Sequence, residues 1–261
     1  MARREVGRGS AERAHVVFGV QPVQELLAGR PRDVERIYVA RDARGPVGRI
    51  VRAARQTGIP VTHLDRERLA SKVGRRGSHQ GIAALVAPVP YSTVDELVAR
   101  ARSKPDGVLV LVDRVTDPGN LGSILRTCAA AGVDGVLLSR DGTAGLTPHA
   151  VKASAGAVER IPVARVPAPG PLVQRLRKVG FLALVLAPAG EASWDRLDLC
   201  GRILLVAGGE ERGPRPGVAA ACDTKVAIPL EKGIDSLNVA VATAVILFEA
   251  RRQRRGANPG P

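Results

Sequence analysis

Three stretches of this 261-residue chain end an apolar run and continue with side chains able to hold and stabilise a reacting group. Asn120, Ser123 and Arg126 follow Val108-Leu109-Val110-Leu111-Val112, and Gly208-Gly209-Glu210-Glu211-Arg212-Gly213 follows Leu205-Val206-Ala207. Ser236 and Asn238 follow Ile228-Pro229-Leu230-Glu231-Lys232-Gly233. Amides, hydroxyls, a carboxylate and a guanidinium suit group transfer in which positioning and electrostatics carry most of the catalysis. His15, His63, His79 and His149 are far apart and lack ligand spacing, so no metal is expected. No Lys-Ser/Thr follows Gly213, and neither glycine loop has the G-x-G-x-x-G spacing, which excludes a P-loop and a dinucleotide fingerprint.

The elements that must position these residues are legible as a pattern. Leu121, Ile124, Leu125 and Cys128 form one helical face, so Arg126 points to the side carrying Ser123. A cation in the first turns of a helix opposes the macrodipole, which favours a functional Arg126 over a solvent-facing one. Ser236 reads as the N-cap of a long helix with Leu237, Val241, Ala244, Val245 and Phe248 on its apolar face; a cap before a core helix is an equally good structural reading. Apolar runs at Val108–Val112, Gly135–Leu138, Arg160–Val163, Phe181–Ala187, Ile203–Ala207 and Lys225–Ile228, separated mostly by helices, predict a doubly wound α/β domain. Such sheets bind ligands beyond the carboxyl ends of their strands, where the three loops lie.

A smaller α/β layer precedes it. Helices alternate with short strands from Val16 to Ala87, with Gly74–Gly81 as a glycine-rich loop carrying Arg75 and Arg76. Two arginines there can hold phosphates, or the loop is a solvated turn; both readings stand. His79 reads as a hydrogen-bonding loop residue. The boundaries expected are a mobile leader over 1–15, a first domain over 16–88, a linker and helix over 89–106 with a capping box at Thr93–Glu96, a second domain over 107–253, and a frayed basic tail over 254–261 that begins to loosen at Arg251.

The formal charge of +14 points to a polyanion partner, since each Lys or Arg on a phosphate gains through counterion release. Trp194, Tyr38, Tyr91, Phe18, Phe181 and Phe248 are the whole aromatic complement, too few for a base-stacking sheet. Structured nucleic acid bound through its backbone and shape is expected. Cys128, Cys200 and Cys222 are odd in number and lack a C-x-x-C pair, so they read as buried thiols of a reducing, cytoplasmic protein. No apolar run is long enough for a membrane span.

Taken together, Asn120-Leu121-Gly122-Ser123-Ile124-Leu125-Arg126, Gly208-Gly209-Glu210-Glu211-Arg212-Gly213, and Ile228-Pro229-Leu230 with Ser236-Leu237-Asn238-Val239-Ala240-Val241-Ala242 resemble the three motifs of the SpoU/TrmH ribose methyltransferases. Phe18-Gly19-Val20 and His79-Gln80-Gly81-Ile82 resemble that family's RNA-substrate-binding domain. The likeness is strongest to the type that methylates a 23S ribosomal RNA guanosine. It implies a parallel-sheet SPOUT domain closed by a deep trefoil knot, a homodimer formed through that domain, and S-adenosylmethionine bound in the knot loops. Carried over by position, Gly208, Gly209, Ile228, Leu230 and Leu237 hold the methyl donor. Asn120, Arg126, Glu210, Ser236 and Asn238 form the active site; Arg75 and Arg76 of the glycine-rich loop, outside these motifs, are the RNA-binding candidates. Ala240, Leu230 and Glu211 depart from the residues most frequent in the family at those positions. The resemblance leaves open the same chemistry on tRNA or another rRNA nucleotide, and a catalytically silent RNA-binding or ribosome-assembly factor.

Overall fold

The structure is a computed structural model that describes residues 15–257, apart from 74–78, 88, 189 and 211. Arg75 and Arg76, the residues before His15 and those after Ala257 therefore lie outside the described residues. Two compact units are present: one ends at Pro90 and also takes Leu146–Pro148, the other comprises Tyr91–Gly145 and the chain from His149.

In the first unit β1 (His15–Phe18), α1 (Val20–Gly29), β2 (Val34–Ala40), α2 (Val47–Gln56), β3 (Val61–Leu64), α3 (Arg66–Val73) and β4 (Ile82–Val86) follow one another. The sheet has the order β1-β4-β2-β3 around a core that includes Val23, Ile37, Ile50, Ile59 and Ile82. Two distant stretches close on each other at its end. The Gly19 N–H donates to the Ile82 carbonyl at 3.1 Å, and the Val20 N–H donates to Gln80 Oε1 at 2.8 Å. Gly19 and Gly81 take φ of 96° and 80°, a region where glycine carries no Cβ penalty. His79 Nδ1 accepts the Gly81 N–H at 3.1 Å, the loop role expected of it.

The second unit contains α4 (Val94–Arg102), β5 (Val108–Asp113), α5 (Pro118–Ala131), β6 (Gly135–Ser139), α6 (Pro148–Ala153), β7 (Val163–Val166), α7 (Pro169–Lys178), β8 (Leu182–Leu186), β9 (Ala192–Ser193), β10 (Ile203–Gly208), α8 (Pro216–Ala219), β11 (Thr224–Ala227) and α9 (Val239–Ala257). Its seven strands lie in the order β7-β6-β5-β10-β8-β11-β9, every neighbouring pair parallel. All six residues of β5 and of β10 are buried, as continuous apolar runs in the middle of a parallel sheet require. Thr93 and Glu96 form the expected capping box, with reciprocal bonds of 3.0 and 2.7 Å, and α4 buries Leu97, Val98 and Ala101 in this unit's core.

Three expectations are corrected. β7 starts at Val163 rather than Arg160, because Arg160 closes a single turn by donating its N–H to the Ala157 carbonyl at 2.9 Å. The face of α9 that packs inward is Val239, Ala240, Ile246, Leu247 and Ala250, while Val241 and Phe248 are 49% and 46% exposed. Nor does the chain fray at Arg251. The helix runs to Ala257, with Arg251 Nη1 donating to the Ala130 carbonyl at 2.6 Å and Arg254 donating to the Leu199 and Gly201 carbonyls at 2.9 Å each. Of the thiols, Cys128 is buried but Cys200 and Cys222 are half-buried; burial pushes the Cys222 thiol up to about 12. Among the described residues no helix is long and apolar enough to cross a membrane.

Candidate active site

Parallel pairing sets the carboxyl ends of β5 and β10 side by side, with Asp113 opposite Gly208. Asp113 is the single charged residue of an otherwise apolar strand and is fully buried. It is neutralised by Arg215, whose backbone N–H and Nη1 donate to its two oxygens at 2.7 and 2.8 Å. A buried carboxylate so paired avoids the cost of an unsatisfied charge, and it ties the loop after β10 to the end of β5. The Gly209 N–H adds a bond to the Asp113 carbonyl at 3.0 Å. A Cβ on Gly209 would lie 2.3 Å from the Arg114 carbonyl oxygen, so only glycine lets the two loops approach this closely.

Each of the three loops then contributes one side chain to a common point. Asp117 caps α5, accepting the Asn120 N–H at 2.7 Å, and so sets Asn120 in the first turn. Asn120 Nδ2 donates to Glu210 Oε1 at 3.1 Å. Asn238 Nδ2 donates to the same Glu210 oxygen at 2.7 Å and to Asn120 Oδ1 at 2.8 Å. Asn238, not Ser236, caps α9: its Oδ1 accepts the Ala240 and Val241 N–H groups at 2.9 and 3.4 Å. Both residue types cap helices well, and the pairing of Asn238 with Glu210 decides between them.

Two cavities flank this cluster. One, of about 370 Å³, is lined by Gly208, Gly209 and Glu210, by Ile228 and Leu230, by Ser236 and Leu237, and by Leu186, Val226 and Ala242. The other, of about 390 Å³, is lined by Arg114, Val115, Thr116, Asp117, Asn120 and Gly142, and shares Gly209, Glu210, Arg212, Gly213 and Val239 with the first. Among the described residues no group of three His, Cys, Asp or Glu side chains is placed to hold a metal ion.

A family profile described as the SpoU rRNA Methylase family matches residues 107–248, and one described as RNA 2'-O ribose methyltransferase substrate binding matches residues 16–92. The chain belongs to the SpoU rRNA methylase family. It is 35% identical to the 23S rRNA (guanosine-2'-O-)-methyltransferase RlmB of Pseudomonas syringae, over 91% of this chain and 95% of that protein. It is 36% identical to an uncharacterized tRNA/rRNA methyltransferase of Mycolicibacterium vanbaalenii, over 98% of this chain and 82% of that one. Among solved structures it is similar to the SpoU methyltransferase AviRb of Streptomyces viridochromogenes in complex with the cofactor AdoMet, with a TM-score of 0.59 and 27% identity over 92% of this chain and 90% of that one.

In this SpoU-family chain the residues predicted from sequence do not all meet. Asn120, Glu210 and Asn238 are in mutual contact, and Gly208, Gly209, Ile228, Leu230, Ser236 and Leu237 line the first cavity. Arg126 lies with Ser123 on the exposed side of α5, outside both cavities, and has no hydrogen-bond or ion-pair partner among the described residues. Sequence reasoning missed Asp113, Arg114 and Arg215, of which Asp113 had a visible signal as a carboxylate ending an apolar strand.

The first cavity fits a nucleoside-bearing cofactor. Its size falls within the roughly 300–1,000 Å³ of small-molecule sites. Ile228, Leu230, Leu237 and Val226 offer apolar walls for a flat ring, the Gly208 and Gly209 backbone can approach closely, and the Glu210 carboxylate presents negative charge at one end.

Proposed function

We propose that this chain transfers a methyl group from S-adenosylmethionine to the ribose 2'-hydroxyl of a guanosine in 23S ribosomal RNA. The observation that carries the proposal is the joining of Asn120, Glu210 and Asn238, from three loops distant in sequence, at the boundary of an apolar, glycine-backed cavity. The donor supplies a methyl group on a sulfonium, chemistry that calls for no metal. Ile228, Leu230 and Leu237, with the backbone of Gly208 and Gly209, would hold the donor, and the Glu210 carboxylate would favour its cationic centre. Asn120 and Asn238 orient the loops and the target nucleotide, and Ser236 orients its own loop. Arg126 is assigned to RNA rather than donor: a guanidinium keeps its proton and is no base, and on the exposed side of α5 it would bind a phosphate of the RNA.

The substrate assignment is supported by the RlmB relatives and by the charge of +14. The first unit grips RNA, with Arg75 and Arg76 on phosphates, and the protein works in the cytoplasm on ribosomal RNA. A homodimer forms through the second unit. The exposed Val241 and Phe248, with half-buried Ala244 and Val245 between them, give α9 an apolar stripe suited to a subunit contact. Phe248→Asp is expected to yield monomers in sedimentation; an unchanged mass would remove that contact from the account. The segment after β11 closes a trefoil knot. In support, the chain leaves β11, which pairs with β8, and returns across β8 and β10 to bring Asn238 to Asn120 beyond β5. A crystal structure tracing residues 208–240 without threading would overturn the knot.

Labelled-methyl transfer to 23S rRNA and to tRNA lacking modifications, followed by mapping of the alkylated nucleotide, tests the function. Label on one guanosine ribose of 23S rRNA is expected. Label confined to tRNA, or attached to a base, would refute the substrate or the chemistry respectively.

A further inference from the structure

We propose that the second cavity binds a phosphodiester of the RNA substrate beside the target ribose, through Arg114 and Arg212. This rests on the reading of the chain as an RNA methyltransferase and adds a subsite to it.

Arg114 has φ of 63°, a left-handed conformation that L side chains rarely adopt. A turn that needed only this backbone shape would be served by Gly or Asn, and strain of this kind collects at functional sites. Here the strain is sustained from three directions. The Arg114 N–H donates to Thr143 Oγ1 at 2.8 Å, the Gly209 N–H to the Asp113 carbonyl at 3.0 Å, and the Ala144 N–H to the Val115 carbonyl at 2.8 Å. The side chain runs past Gly142, where a Cβ would lie 3.8 Å from Arg114 Cγ, and walls the cavity.

Two guanidinium groups, Arg114 and Arg212, and two carboxylates, Asp117 and Glu210, line the cavity; they balance in number but form no ion pair with one another among the described residues. Asp117 is engaged by the Asn120 N–H at 2.7 Å. Glu210 is engaged by two amides at 3.1 and 2.7 Å. Arg215, close by, is paired with Asp113 at 2.8 Å. Arg114 and Arg212 have no acceptor among the described residues, which leaves two guanidinium groups facing an open volume next to the Asn120 amide. Guanidinium forks favour phosphate and carboxylate alike. The donor's own carboxylate is the competing source of that chemistry, and RNA is favoured because Arg114 lines only the second cavity, apart from the apolar walls.

The test uses Arg114→Gly, which suits the left-handed backbone and so keeps the fold, with Arg114→Lys to restore the charge and Arg212→Ala on an exposed side chain as a second probe. Binding of unmodified 23S rRNA is measured across a salt series, and S-adenosylmethionine affinity by calorimetry. Loss of one phosphate contact predicts about tenfold weaker RNA binding and a salt slope shallower by about one unit. Donor affinity of the Arg114 variants stays within about twofold, and Arg114→Lys falls between the wild type and Arg114→Gly. An unchanged RNA slope in both Arg114→Gly and Arg212→Ala, or loss of donor affinity in place of RNA affinity, overturns the proposal. Methyl transfer by the wild type is read separately: its absence would sink the parent reading, while the salt slopes would still decide the role of Arg114.

Discussion

Asn238 donates its Nδ2 amide to Glu210 Oε1 at 2.7 Å, joining the loop after β10 to the cap of the last helix. The same carboxylate oxygen accepts from Asn120 at 3.1 Å and from the Val239 N–H at 3.4 Å, so one acceptor holds three chain segments together. Side-chain networks of this kind rigidify a site beyond the sum of their pairs.

Glu210→Ala removes that hub. Methyl transfer should fall by about 100-fold or more, the scale seen when a preorganised polar contact is lost. The thermal midpoint should move little, because Asn120 and Asn238 can turn to water. Single-turnover rates with saturating donor and RNA check this, and a rate close to that of the wild type would leave the cluster without a catalytic role.

Arg126→Ala is expected to lower methyl transfer at limiting RNA while donor affinity stays within a few-fold, since Arg126 lines neither cavity and faces outward from α5, where RNA can reach it. Calorimetry with S-adenosylmethionine and rates with RNA separate the two effects. Equal loss of donor affinity would put Arg126 on the other substrate.

Much of this site was readable because loops at the ends of buried strands carry residue types that strands and helices do not need: glycines, amides and a lone carboxylate. Those loops could be singled out for that reason, while Asn120, Glu210 and Asn238 were named through the resemblance to the SpoU/TrmH motifs, and nothing local says that they touch. What escaped was set by tertiary contacts. From Val239 to Phe248 nearly every residue is apolar, so periodicity offers two faces for α9 and burial chooses the one without Val241 and Phe248. The pairing of Asp113 with Arg215 spans 102 residues, and Arg114 reveals itself only through its φ of 63°.

Gly122→Ala tests the packing that presents Asn120. A Cβ there would lie 2.4 Å from Ala153 Cβ and 2.7 Å from the Ala150 carbonyl oxygen, backbone that a flexible side chain cannot relieve. Overpacking of this sort costs about 1–3 kcal/mol. Urea unfolding should show that loss at an unchanged m-value, and an unaltered midpoint would mean that α6 yields freely.

Acid stability should depend on Glu249. Arg252, donating at 2.8 and 2.7 Å, and then Gln253 at 2.8 Å hold its carboxyl down to about 2, against a usual value near 4.5. A depressed carboxylate stabilises the fold above the usual value, and that contribution is lost as pH falls through the depressed one. Glu249→Gln should therefore lower stability at neutral pH and flatten its decline between about pH 4.5 and 2. Parallel unfolding curves for the two proteins across that window would contradict the assignment.

In the proposed site the loops that carry Gly208, Leu230 and Asn238 enclose the methyl donor. Leu230→Arg puts a long cation into the apolar wall of that cavity at a half-buried position. Titration of S-adenosylmethionine into the wild type and this variant is the most direct measurement. At least about a hundredfold loss of affinity, with the thermal midpoint preserved, is expected. Undiminished binding by Leu230→Arg would contradict that enclosure.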